Sequence, residues 1–70
     1  MERFNELDSV ITLVEKHSIP KGTKGCIVHI YPDGKACTCE LFDAGFHTIG
    51  VEDYEFDEIR RSDFESQKQL

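Results

Sequence analysis

Three cysteines, three histidines and a run of closely spaced carboxylates are the side chains in this 70-residue chain that could do chemistry. Cys37-Thr38-Cys39, with Cys26 and a histidine nearby, invites a zinc reading. Structural zinc, however, takes thiols two to four residues apart on a turn, together with a second such pair. Here a single residue separates the thiols inside ACTCELF, a run that reads as a strand. No metal site is expected, and the thiols are read as small apolar groups. A Cys26–Cys39 disulfide is sterically conceivable across adjacent strands, but an odd cysteine count and a reducing compartment speak against it. A cysteine nucleophile would need an exposed thiolate beside an oriented base. His17, His29 and His47 fall in a loop and two strands, and no turn presents such a pair. Gly22, Gly25 and Gly34 are read as turn glycines, since a phosphate cradle runs from strand into helix and Gly25 runs into a strand. No catalytic residue and no cofactor follow from these patterns.

The elements that must position these groups are short and extended. Residues 26–31, CIVHIY, and 36–42, ACTCELF, flank Pro32-Asp33-Gly34-Lys35 and read as a β-hairpin. Alternation along the second arm puts Cys37, Cys39 and Leu41 on one face, expected in the core, and Thr38 and Glu40 on the other. On the first arm both faces are fairly apolar. Residues 9–15, SVITLVE, read as a first strand, with Val10, Thr12 and Val14 alternating against Ile11 and Leu13. Residues 16–25 read as a loop shaped by Pro20 and the glycines. After a turn at Asp43-Ala44-Gly45, residues 46–51 read as a fourth strand in which Gly50 marks a bulge or a close backbone approach. Residues 52–57 are expected as a loop or one helical turn, and residues 58–61 as a last strand with Ile59 inward.

Five short strands with turns every 8 to 12 residues predict an all-β chain: a small five-stranded SH3-like barrel with its core at about residues 9–61. It would carry a short N-terminal arm holding Phe4 and Leu7, and a frayed or helical tail after residue 61 containing Phe64. Residues 1–70 form one domain, small enough that only about 60% of the unfolded surface is buried on folding, so a partner or a homodimer is a natural stabiliser. No apolar stretch nears a membrane span and no secretion signal opens the chain, so a cytoplasmic protein with reduced thiols is expected.

The order LDSVITL, IPKGTKGCIVHIY, DGKACTCELFD and GFHTIGV, over residues 4–61, is similar to that of the small bacterial proteins of domain-of-unknown-function family 4926, which are related in pattern to KOW and SH3-like barrels. Leu7-Asp8 with Val10, the Gly22 to Gly25 turn and Glu40 carry the resemblance most specifically; Cys37 and Cys39 depart from it, standing where aromatic and aliphatic residues are usual. Members look like companions of toxin-like reading frames. The resemblance therefore implies an immunity or antitoxin role and supplies no catalytic residues.

Charge points the same way. Net charge is −6, of which −5 belongs to residues 42–70. Such a field repels nucleic acid and attracts a basic protein. Its densest part is Glu52, Asp53, Glu55, Asp57 and Glu58, interleaved with Tyr54 and Phe56, the expected partner-binding surface with aromatic anchors at its centre. The expectation is a non-catalytic immunity protein that neutralises a cognate toxin, a basic nuclease, by presenting carboxylates in place of phosphates. The alternatives are an accessory barrel that docks on a larger enzyme without inhibiting it, and a KOW-type RNA-binding module using Lys21, Lys24, Lys35 and Tyr31.

Overall fold

A computed structural model describes residues 3–62. Five strands, β1 (Ser9–Thr12), β2 (Lys24–Ile30), β3 (Ala36–Phe42), β4 (Thr48–Glu55) and β5 (Ile59–Arg61), form one antiparallel sheet in the order β4-β3-β2-β1-β5. A 3₁₀ turn, Phe56–Glu58, joins the last two. The chain is all-β, as its strand-and-turn spacing predicts.

The β2–β3 hairpin turns where expected. Gly34 takes φ 71° and donates its N–H to the Tyr31 carbonyl at 2.8 Å, while Asp33 Oδ1 accepts from the Lys35 N–H at 3.0 Å. Glycine tolerates this left-handed backbone, and Asp closes its own turn. Cys37, Cys39 and Leu41 all face inward and are fully buried. On β2 the ambiguity of two apolar faces is resolved by a bulge. Ile27 pairs with Cys39 but His29 with Thr38, so Val28 is the extra residue and stands outside the alternation, 42% exposed. Beyond the bulge Ile30 pairs with Cys37 and packs against the core.

Gly25 lies within β2 rather than in a turn. A Cβ there would sit 2.6 Å from Leu41 Cδ2 and 2.9 Å from the Glu40 carbonyl oxygen, so close strand approach is what requires glycine. The core comprises Val10, Ile19, Ile27, Cys37, Cys39, Leu41, Tyr54 and Ile59. The arm lies against it as expected: Phe4 stacks on Phe56 with centroids 5.1 Å apart, and Leu7 N–H donates to the Ile27 carbonyl.

Several strand boundaries differ from expectation, β2 among them, which runs from Lys24 to Ile30. β1 stops at Thr12 because that residue is buried and tied back to the following loop, its Oγ1 donating to the Pro20 carbonyl and accepting from the Thr23 N–H. Residues 16–19 then reverse direction through left-handed His17 and Ser18. β4 begins two residues late, because Asp43 Oδ1 holds the N–H groups of both Gly45 and His47 in a longer turn. It then runs on through Glu55, so the acidic segment expected as a loop is strand as far as Glu55. Ile49 is the bulged residue there, next to Gly50, where a Cβ would sit 3.4 Å from Ile19 Cδ1. The last strand begins at Ile59, with Glu58 in the 3₁₀ turn. The expected tail with Phe64 lies outside the described residues.

Among the described residues no ladder joins β4 to β5. Lys16 spans that seam instead: its Nζ donates to the Asp53 carbonyl at 3.0 Å and the Glu58 carboxylate at 2.9 Å, and lies 4.9 Å from the Tyr54 ring centroid.

Candidate functional site, an acidic strand and turn

The residues expected to bind a partner come from the second half of β4 and the turn after it. Strand alternation splits them. Asp53 and Glu55 pair with Thr38 and Ala36 and share their outward face; Glu52 and Tyr54 pair with the buried Cys39 and Cys37. Tyr54 is therefore a core residue, 1% exposed, and cannot anchor an interface. An i, i+2 partner of core cysteines has no other side to turn to. Burial, with the nearby Glu52 carboxylate next in weight, pushes its phenol up to about 12. Phe56 is half-buried under Phe4.

The carboxylates differ as sharply. Asp53 accepts two short hydrogen bonds, from Thr38 Oγ1 and Tyr31 Oη, both at 2.6 Å. The Thr38 bond first, then the Tyr31 bond, hold its carboxyl below the usual aspartate range, so it is a fixed and ionised charge at neutral pH. Glu58 is likewise lowered, by Lys16 first and by the Glu55 N–H second. Glu52 meets the exposed His17 ring at 2.9 Å. Glu55 and Asp57 are exposed, and no ion pair among the described residues neutralises either. Of the five acids, then, Asp53, Glu55 and Asp57 present charge outward, while Glu52 and Glu58 are engaged with residues of the 16–19 turn.

Sequence reasoning passed over Lys16, His17, Tyr31 and Thr38 as parts of this site. The outward position of Thr38 was available from alternation, but its pairing with Asp53 needs the correct extent of β4. Tyr31 spends its hydroxyl on Asp53 and packs edge-on to His29 at 5.3 Å. The Asp53 carboxylate at its hydroxyl sets a negative charge where an RNA phosphate backbone would approach. Lys24, another member of that suggested basic patch, lies over the Phe46 ring.

Two of the three cysteines are core residues, and Cys26 is half-buried. Cys37 and Cys39 Sγ lie 3.8 Å apart, fully buried, and Cys39 is pushed well above the ordinary thiol range by its hydrogen bond with Cys37 and by burial. Such a thiol is a weak nucleophile at neutral pH. Among the described residues no group of three His, Cys, Asp or Glu side chains is arranged to hold a metal ion, and no helix is long and apolar enough to cross a membrane.

Comparison of the chain with protein-family models, with characterised proteins and with solved structures finds no match.

Proposed function

We propose that this chain is a non-catalytic binding protein that engages a basic partner protein through the outward acids of β4 and the following turn. The observation that carries the reading is Asp53: a carboxylate on an exposed sheet face, held ionised by two hydroxyl donors and flanked by Glu55 and Asp57. A fixed anion of this kind costs little to organise when a lysine or arginine arrives, and several together speed encounter at low salt. Within this reading the partner is a cognate bacterial toxin with a cationic groove, a nuclease above all, which the chain neutralises by occlusion. That finer assignment rests on the family resemblance and on the −5 charge of residues 42–70.

The test is co-purification with the protein encoded in the adjacent reading frame, followed by its activity with and without this chain. Binding with inhibition supports the immunity reading. Binding without inhibition makes the chain an accessory barrel. Reversing the charge of Asp53, Glu55 and Asp57 together is expected to weaken the complex at least about tenfold in 50 mM salt and to flatten its salt dependence. An unchanged affinity would remove the acidic surface from the account.

A further inference from the structure

Among the described residues β4 is an edge of the sheet, with a neighbour on one side only. Ladder parity shows which of its main-chain groups are left over. The Tyr31 N–H donates to the Ala36 carbonyl, so Ala36 faces β2. Peptide groups alternate in direction along a strand. Those of Cys37, Cys39 and Leu41 therefore face β4, and their partners Tyr54, Glu52 and Gly50 return the bonds. Val51, Asp53 and Glu55 turn theirs to the open side. Two hydrogen bonds agree: the Asp53 carbonyl accepts from Lys16 Nζ, and the Glu55 N–H donates to Glu58. Among the described residues no further hydrogen bond reaches either main-chain group of Val51 or the Asp53 N–H from outside the sheet.

Edge strands are commonly blunted by lysine, proline or twist. Residues 48–55 contain no lysine or proline. Lys16 guards only the Asp53 carbonyl, and the bulge at Ile49 bends only the opposite end. Between them Val51 is 57% exposed, a β-branched side chain on an open edge. At the Ile49 end lies a cleft of about 380 Å³ lined in part by Pro20, Phe42, Ala44 and Ile49.

Charge selects the occupant. A second copy would bring another −6 and set two acidic strands about 4.8 Å apart. An extended basic segment instead meets Asp53 and Glu55 on the outward face, with Glu40 beside Val51 in the same row. We propose that β4 accepts, as a sixth strand, an extended segment of the basic partner in which cationic and aliphatic residues alternate. The main chain would bond Val51 and Asp53, the cations would lie beside the outward acids, and an aliphatic residue would enter the cleft at the Ile49 end. This rests on the acidic-surface reading and adds the backbone mode by which the partner is held.

The experiment uses the full ¹⁵N-labelled chain and three capped octapeptides: alternating Lys-Val, the same peptide with alternate backbone amides N-methylated, and alternating Glu-Val. The Lys-Val peptide is expected to slow hydrogen exchange of the Val51 and Asp53 amides about tenfold or more, and the other two to leave them unchanged. Val51→Pro removes an outward N–H and leaves the β3 ladder intact. It is expected to weaken Lys-Val binding roughly fivefold to tenfold, about the worth of one hydrogen bond. Should that variant fail to fold, exchange in the unmodified chain still decides. Equal binding of both cationic peptides without amide protection overturns strand addition while leaving the acidic surface standing. No binding of either removes both. Protection that rises with protein concentration in the absence of peptide assigns the edge to a second copy and overturns the occupant proposed here.

Discussion

The hairpin of β2 and β3 and the acidic strand β4 lie side by side in one sheet, yet they are held by different forces. On β3 every second residue is a fully buried apolar group, and the turn at its start closes on its own Asp and Gly. β4 contributes one fully buried side chain, Tyr54, and its second half is fastened by polar contacts: Thr38 and Tyr31 to Asp53, His17 to Glu52, Lys16 to the Asp53 carbonyl and Glu58. The hairpin's conformation is decided by residues close in sequence and by area removed from water. That of β4 is decided by partners 15 or more residues away and by charges that water and salt can weaken. A region whose order depends on ionised contacts is also one whose charge can be read by another molecule.

That contrast breaks first, and hardest, on the hairpin side. Gly25→Ala places a methyl 2.6 Å from Leu41 Cδ2 and 2.9 Å from a backbone oxygen, which cannot move aside as a side chain can. Overpacking of this kind costs about 2–3 kcal/mol, and thermal unfolding should fall by about 10–20 °C in a chain this small. Differential scanning calorimetry reads it. A change below about 0.5 kcal/mol would mean that β2 and β3 are less closely fixed than their register implies.

On the acidic side, Lys16→Met keeps the aliphatic stem over Tyr54 but removes the ammonium that joins Asp53 to Glu58 across the seam. Deleting these two partly exposed hydrogen bonds should cost about 1–2 kcal/mol. The β5 amides should then exchange faster while those of β3 keep their protection. Uniform loss of protection would show that the two regions unfold as one.

Acid separates the regions further. Asp53 and Glu58 have folded pKa values below their unfolded ones, so the stability they contribute is complete above the ordinary carboxylate range near 4 and is lost as pH falls through the lowered folded values. Unfolding temperature should therefore hold steady above about pH 5 and decline below about 4. Asp53→Asn with Glu58→Gln should flatten that decline, whereas hairpin substitutions should lower the whole curve without changing its shape. A double variant with an unaltered slope would place the responsible carboxylates elsewhere, Asp43 with its His47 and Gly45 donors being the next to test.

How much could be read from sequence follows the same line. The inward face of Cys37, Cys39 and Leu41, the Pro-Asp-Gly turn, the inward Ile59 and the all-β class depend on alternation and turn chemistry, which are local. The bulge at Val28 was not legible, because Ile27, Val28 and Ile30 offer equally apolar residues to either face and only pairing with β3 chooses. Residues 52–55 looked like a loop because four of the six residues from Glu52 to Asp57 are acids, poor strand formers in isolation. Pairing with β3 overrides that preference. This one displacement hid the burial of Tyr54, the Thr38–Asp53 pairing and the open edge at Val51, so the site's charge was legible while its geometry was not.

The smallest expected effect tests the single place where the acidic strand enters the core. Tyr54 is almost wholly buried, and its hydroxyl has no hydrogen-bond partner among the described residues. A buried hydroxyl without a partner gives up its hydration for nothing, at a cost of about 1–3 kcal/mol relative to a satisfied one. Tyr54→Phe removes that cost, leaves the ring to pack on Cys37 and Cys39, and keeps most of the attraction between the ring face and Lys16. Stability should be unchanged or rise by up to about 1 kcal/mol, a shift of a few degrees upward in calorimetry. If the variant instead loses about 1 kcal/mol or more, the hydroxyl holds a hydrogen bond in solution, to a bound water for instance, and β4 is anchored in the core by a polar contact as well as by its ring. The difference between the two strands would then lie in the outward carboxylates alone.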